Sequence, residues 1–149
     1  MKILILCTGN SCRSQMAQGY LRSFDKVLEV HSAGTIPAPA VNQLAIKVML
    51  EDGIDISNEK PKSVDKYTGE EWDYVITVCD DANETCPVFH GAVKQRVHKS
   101  FEDPSHSSGI GDEILQEFRK VRDLIKIEFR KFYESEIMNN MNKNENRGY

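Results

Sequence analysis

The chain has 149 residues, 40% of them hydrophobic and 28% charged, which is enough for one domain with a buried core and too few for a multidomain machine. Nineteen Lys and Arg against twenty-three Asp and Glu give a net charge of -4, so no broad cationic surface is available to hold a nucleic acid or an anionic membrane. The apolar run Ile3–Leu6 is shorter than the roughly 7–15 residues of a signal-peptide core, and no run approaches the roughly 18 apolar residues that span a bilayer. These absences point to a soluble protein of the cytoplasm.

Ile3 to Leu6 is a continuous aliphatic run closed by the turn-prone Thr8-Gly9-Asn10, the pattern of a strand buried on both faces. Met16, Tyr20 and Leu21 then recur at helical spacing, so a helix starts near Cys12. Val27 to Val30 reads as a second strand running towards Ala33-Gly34, and Val41, Leu44, Ala45, Val48 and Met49 form one helical stripe ended by Gly53. Asp73 to Val78 is the strongest internal strand signal, and Gln95 to His98 is a weaker fourth. From Gly111 to about Met138 the apolar positions Ile114, Phe118, Val121, Ile125, Phe129 and Phe132 step by three or four, predicting a long amphipathic helix packed on a sheet. The Asn-rich residues 139–149 have little to bury and are expected to be a frayed or disordered tail, leaving a single domain over 1–138.

Strands alternating with helices predict an α/β fold, a three-layer open sandwich around a central four-stranded parallel sheet. Such sheets bind ligands at the carboxyl ends of their strands. Cys7, Cys79 and Cys86 fall at or just beyond strand ends. In a reducing compartment cysteines are reactive or metal-binding more often than they are a disulfide framework.

The segment Cys7-Thr8-Gly9-Asn10-Ser11-Cys12-Arg13-Ser14 lies between the first strand and a helix start. A loop of backbone amides curling into a helix N-terminus is an anion cradle, and a sulfur at its base is favoured as thiolate by the amides, the helix dipole, Arg13 and a hydroxyl such as Ser14. Cys7 is therefore expected to be a nucleophile at neutral pH. Arg13 offers a planar fork for two oxygens of a tetrahedral oxyanion, and Gly9 and Asn10 tolerate the left-handed angles that turn amides inward. Cys12 reads as a small packed residue of the same loop.

Asp103-Pro104 follows the fourth strand; taken alone it is a turn, and beside the loop Asp103 is a candidate general acid. Cys79 and Cys86 stand seven positions apart. On a helix that spacing is about 10.5 Å, beyond the roughly 7 Å Cα separation of a disulfide, so pairing them would require the segment to unwind. The cysteine spacings, with scattered His31, His90, His98 and His106, do not make the tight pairs of a zinc site, so no metal is expected. That leaves a redox pair or two inert buried thiols.

Cys7 to Ala17, Ser32-Ala33-Gly34, Cys79 to Cys86-Pro87 and Phe101-Glu102-Asp103-Pro104 together resemble the thioredoxin-coupled arsenate reductases, which share the fold and loop of the low-molecular-weight protein tyrosine phosphatases. The resemblance covers roughly residues 1–135. It implies reduction of arsenate to arsenite with Cys7 as nucleophile, Arg13 and the loop residues Thr8 to Ser14 holding the oxyanion, and Asp103 protonating the departing oxygen. A Cys7–Cys79 disulfide and then a Cys79–Cys86 disulfide would follow, regenerated by thioredoxin, with no cofactor. Phosphate and sulfate would compete for the loop, and a monomer suffices. The runner-up is a low-molecular-weight phosphatase hydrolysing phosphate monoesters through a Cys7 phosphocysteine, which would use one thiol and leave Cys79 and Cys86 idle. Members that use potassium carry a Glu where this chain has Gln18, so a cation site with Asn10, Ser32 and Asp65 is not carried over. Asp80 and Asp81 add negative charge after Cys79, which is expected to raise its pKa.

Overall fold

The structure, a computed structural model, describes residues 1–106 and 109–146. Its elements in chain order are β1 (Lys2–Cys7), α1 (Arg13–Phe24), β2 (Glu29–Gly34), α2 (Gln43–Glu51), β3 (Trp72–Thr77), α3 (Asp80–Thr85), β4 (Val93–His98), α4 (Asp112–Phe132), a π-helical segment (Tyr133–Met138) and α5 (Asn139–Asn146). The four strands form one sheet in the order β2-β1-β3-β4, and every pairing is parallel. This is the expected open α/β architecture, with helices flanking the sheet.

Residues Ile3 to Leu6 are wholly buried, as a central strand covered on both faces requires. Phe118, Val121, Ile125, Phe129 and Phe132 of α4 supply the apolar stripe that covers the sheet and α1, and fully burying each such side chain contributes about 1.5–3 kcal/mol. Asn42 caps α2 by accepting from the amides of Leu44 and Ala45, which fixes where that helix begins. By contrast α1 starts at Arg13 with no side-chain cap, leaving its first amides for the loop that precedes it.

Several boundaries differ from the sequence expectation: β3 and β4 start one and two residues earlier, at Trp72 and Val93, and three larger differences have visible causes. The second strand occupies Glu29–Gly34 rather than 27–30, because the Val27 amide is taken by the Asp25 carboxylate in a turn and the Val27 side chain is exposed. The long helix keeps α geometry only to Phe132; the π-helical turn that follows seats Ile137 fully in the core. Residues 139–146, expected to fray, continue as α5, and Asn140 donates to the Tyr74 hydroxyl at 2.7 Å. Positions 147–149 of the expected tail lie outside the described residues.

The register brings the strand ends to one rim. Leu6 faces Ala33 of β2 on one side and Thr77 of β3 on the other, and Thr77 faces His98 of β4. Chain order reverses between β2-β1 and β3-β4, so the rim beyond Cys7 is the crevice where such sheets hold ligands. At this rim Gly34 lets two backbones touch: a Cβ there would lie 2.5 Å from the Thr8 carbonyl oxygen and 3.1 Å from the Asn10 amide. Gly34→Ala is expected to lower stability by about 1–3 kcal/mol, read as a drop in urea midpoint. Gly69→Ala, where nothing lies within 4 Å of the added carbon, should leave the midpoint unchanged.

Candidate active site

The loop from Thr8 to Cys12 is held from outside by its carbonyls. Those of Cys7, Thr8, Gly9 and Ser11 accept from the amides of Thr35, Ile36, Ala38 and Asn42 at 2.8–3.2 Å. With the carbonyls turned outward, the loop amides remain for the inside, where the Thr8 amide bonds the Cys7 sulfur.

Asn10 is the peg of the loop. Its φ is 51°, the left-handed region that Asn tolerates, and it is completely buried. Its side-chain amide donates to Ser14 Oγ at 2.8 Å and Ser32 Oγ at 2.9 Å, while its oxygen accepts from the Lys62 amide at 2.9 Å and from Gln15 at 3.2 Å. Ser32 in turn donates to Gln18 Oε1 at 2.8 Å. Gln18 thus closes a neutral hydrogen-bond network from α1 to β2. Asp65 lies on a separate short turn, Val64–Lys66.

Arg13 opens α1 and reaches across the rim to the β4 side. It donates to the Phe101 carbonyl at 2.9 Å and lies 3.5 Å from the Asp103 carboxylate. Its Nε is buried with no hydrogen-bond partner among the described residues. Asp103 is oriented by its own turn, accepting from the Ser105 amide at 2.9 Å and hydroxyl at 2.6 Å. The sequence placed Arg13 and Asp103 separately; the fold brings them together.

The cysteines are all free thiols. Cys7 and Cys79 are buried and hydrogen-bonded to each other, and the Thr8 hydroxyl lies 3.3 Å from Cys79 Sγ. Two such close thiols hold one negative charge between them. The hydrogen bond from Cys7, then those from the Thr8 hydroxyl and the Ala82 amide, bring Cys79 down to about 5 against the opposing effect of burial. The same bond, followed by burial, pushes Cys7 well above the ordinary thiol value. In this arrangement the thiolate expected on Cys7 therefore sits across the hydrogen bond on Cys79. Cys12 is buried at the start of α1 and burial pushes it up to about 12, so it is a packed thiol.

Cys79 and Cys86 cap the two ends of α3, a helix of six residues, and Cys86 is half-buried. Asp80 does not bear on Cys79 as expected. Its carboxylate is 2.9 Å from His98 Nε2, whose Nδ1 is 2.7 Å from the Thr77 hydroxyl, so the first turn of α3 is pinned to β3 and β4. Sequence reasoning missed this clamp, because only the Thr77 and His98 register reveals it. Among the described residues no group of three or more His, Cys, Asp or Glu could hold a metal ion.

Replacing Cys7 by Ala removes the largest influence holding Cys79 down. The ultraviolet thiolate absorbance of the wild type is expected to fall with a midpoint near 5. In Cys7→Ala that midpoint should move up towards the ordinary thiol value of about 8.5; an unmoved midpoint would contradict the shared-charge arrangement.

Comparison with known proteins extends the geometry. The low molecular weight phosphotyrosine protein phosphatase family matches residues 2–146. An arsenate reductase of Halalkalibacterium halodurans is 42% identical over 134 residues, 89% of this chain and 95% of that protein. The solved structure of an arsenate reductase in the phosphate binding state superposes with a TM-score of 0.74 at 30% identity, covering 88% of this chain and 95% of the other. A thioredoxin-dependent arsenate reductase of Corynebacterium glutamicum superposes at 0.60 with 28% identity, covering 90% of this chain and 60% of the other. With the match running almost end to end, this chain belongs to the low molecular weight phosphotyrosine protein phosphatase family.

Proposed function

We propose that this protein reduces arsenate to arsenite by a relay of Cys7, Cys79 and Cys86, with thioredoxin as the reductant. The observation that carries the reading is the juxtaposition of two buried thiols at the rim: Cys7 at the base of the loop, and Cys79 at the entry to α3, 3.3 Å from the hydroxyl of Thr8 next to Cys7. A phosphatase needs one sulfur there; a second one in contact with it is what a two-electron reduction needs.

The steps balance in atoms and electrons. Arsenate enters the loop, held by its amides and by Arg13. As the Cys7 proton passes across the shared hydrogen bond, the Cys7 sulfur attacks arsenic and Asp103 protonates the departing oxygen, which leaves as water. Cys79, once its proton is released to solvent, attacks Cys7 Sγ. The sulfur–arsenic electron pair stays with arsenic, which departs as arsenite, and a Cys7–Cys79 disulfide forms. Cys86 then attacks Cys79, Cys7 leaves as thiolate, and the resulting Cys79–Cys86 disulfide is reduced by the thioredoxin dithiol.

The last bond requires α3 to unwind, since helical rise holds its ends about 10.5 Å apart. Few contacts resist it. Ala82 is the buried residue of α3, Asn83 accepts a long 3.4 Å bond from the Thr77 hydroxyl, and Thr85 bonds only within the helix, to the Asp81 carbonyl. One chain carries all three thiols, so a monomer working in a reducing, thioredoxin-containing cytoplasm is sufficient. Phosphate and sulfate, also tetrahedral oxyanions, compete for the loop. Among the described residues no helix is long and apolar enough to cross a membrane.

The test is NADPH consumption with thioredoxin and thioredoxin reductase, with and without arsenate. Arsenate-dependent consumption is expected, and Cys86→Ser should abolish steady turnover while still permitting one round of arsenite release. Hydrolysis of an aryl phosphate with no NADPH consumption would instead establish the phosphatase alternative.

A further inference from the structure

Six arginines lie among the described residues, and five of them are paired with a carboxylate: Arg13 with Asp103, Arg22 with Glu59, Arg119 and Arg122 with Glu51, and Arg130 with Glu134. Arg96 is the exception: among the described residues no carboxylate forms an ion pair with it. It stands on the edge strand β4, opposite Val75 of β3, with its guanidinium 5.4 Å from the centroid of the buried Phe89 ring. Cation–π contact with that ring restrains the fork. Arg96 also lines a cavity of about 270 Å³ behind α3, together with Cys86, His98, Thr77 and Asn83.

We propose that Arg96 is a further catalytic residue of the relay, the counter-ion that generates and holds the Cys86 thiolate for its attack on the Cys7–Cys79 disulfide. The inference rests on the reductase reading and adds to it the group that activates the resolving sulfur. Arg96 and Cys86 line the same cavity, Arg96 draws the Cys86 thiol down, and the hydrogen bond Cys86 Sγ makes is to the Pro87 carbonyl, at 3.6 Å. Besides Cys86 itself, the charged or titratable groups lining the cavity are Arg96 and His98, and the His98 ring is engaged at both nitrogens, with Thr77 and Asp80. Arg96 is therefore the cation available to this sulfur.

The two influences on Cys86 differ in what happens to them when α3 opens. Burial pushes the thiol up from its ordinary value, and Arg96 draws it back. Unwinding admits water and removes the burial, whereas Arg96 remains on the sheet. The resting thiol is thus kept protonated and unreactive, and it ionises when the helix that separates it from Cys79 gives way. In the step itself the Cys86 proton goes to solvent, the Cys86–Cys79 bond forms, the Cys7–Cys79 bond breaks, and Cys7 leaves as thiolate into the loop amides.

Two readouts test this on the full chain, comparing wild type with Arg96→Gln and Arg96→Lys. The first is the pH dependence of iodoacetamide alkylation at Cys86 in the fully reduced protein, located by fragment mass spectrometry. In Arg96→Gln its midpoint should move to higher pH by about 1, and Arg96→Lys should restore most of the wild-type profile. The second is the conversion of the Cys7–Cys79 disulfide to Cys79–Cys86 after a single dose of arsenate. At neutral pH a tenfold loss of thiolate, partly offset by the higher nucleophilicity of the more basic sulfur, should slow Arg96→Gln by about threefold, with the first disulfide accumulating. An unshifted alkylation midpoint in Arg96→Gln overturns the proposal even if arsenate is reduced. A shifted midpoint in a chain that forms no disulfide with arsenate upholds the Arg96–Cys86 pairing and overturns the relay it was assigned to.

Discussion

The parallel register of β1 with β3 is the constraint on which the site depends. Because Leu6 stands opposite Thr77, the chain leaves both strands at the same height, and Cys7 and Cys79 emerge side by side at the rim. A slip by one residue would turn Cys7 to the other face and separate the sulfurs. The wholly buried Ile3–Leu6 run opposes such a slip, since every alternative exposes aliphatic surface. The hydrogen bond between the two thiols, and the single charge they share, are consequences of that packing.

The proposed relay asks the loop to stay in place and α3 to open, and the two are built differently. The loop is fixed by carbonyls bonded behind it and by Asn10, whose side-chain nitrogen and oxygen are both engaged in a buried network. In the proposed reduction its amides and Arg13 would be oriented before the anion arrives, so little reorganisation would be needed as charge develops. The segment that carries the second and third sulfurs is different. Helix α3 has six residues and no side-chain N-cap bond, and its attachment to the sheet is limited to Asp80, bonded to His98, the buried Ala82, and a long 3.4 Å bond from the Thr77 hydroxyl to Asn83 Oδ1. Its last turn is held by a contact of its own, from the Thr85 hydroxyl to the Asp81 carbonyl. Local opening in such a segment costs little and leaves the core intact.

Much of this is legible in the sequence because it rests on local pattern. The aliphatic run before Cys7, the stripe from Ile114 to Phe132 and the loop between Cys7 and Ser14 carry their structure in residue type and spacing. What is not legible depends on partners distant along the chain. The Lys62 amide that fixes Asn10 is 52 positions away, and the Phe101 carbonyl that orients Arg13 is 88 positions away. Asp80 illustrates the point: adjacent in sequence to Cys79, it suggested repulsion, yet the fold turns its carboxylate to His98. The Asn-rich helix α5 is similar, since its composition argues for disorder while the contact with Tyr74 exists only once the sheet is built. Thiol charge is also a tertiary property, set by which sulfurs the register brings together.

The most direct measurement is a thiol inventory after the reduced protein receives one equivalent of arsenate in the absence of any reductant, followed by peptide mapping under acid quench. The account predicts that two of the four thiols disappear, that they are recovered as a Cys79–Cys86 disulfide, and that one arsenite is released for each. Recovery of all four thiols, with arsenate unchanged, would contradict it.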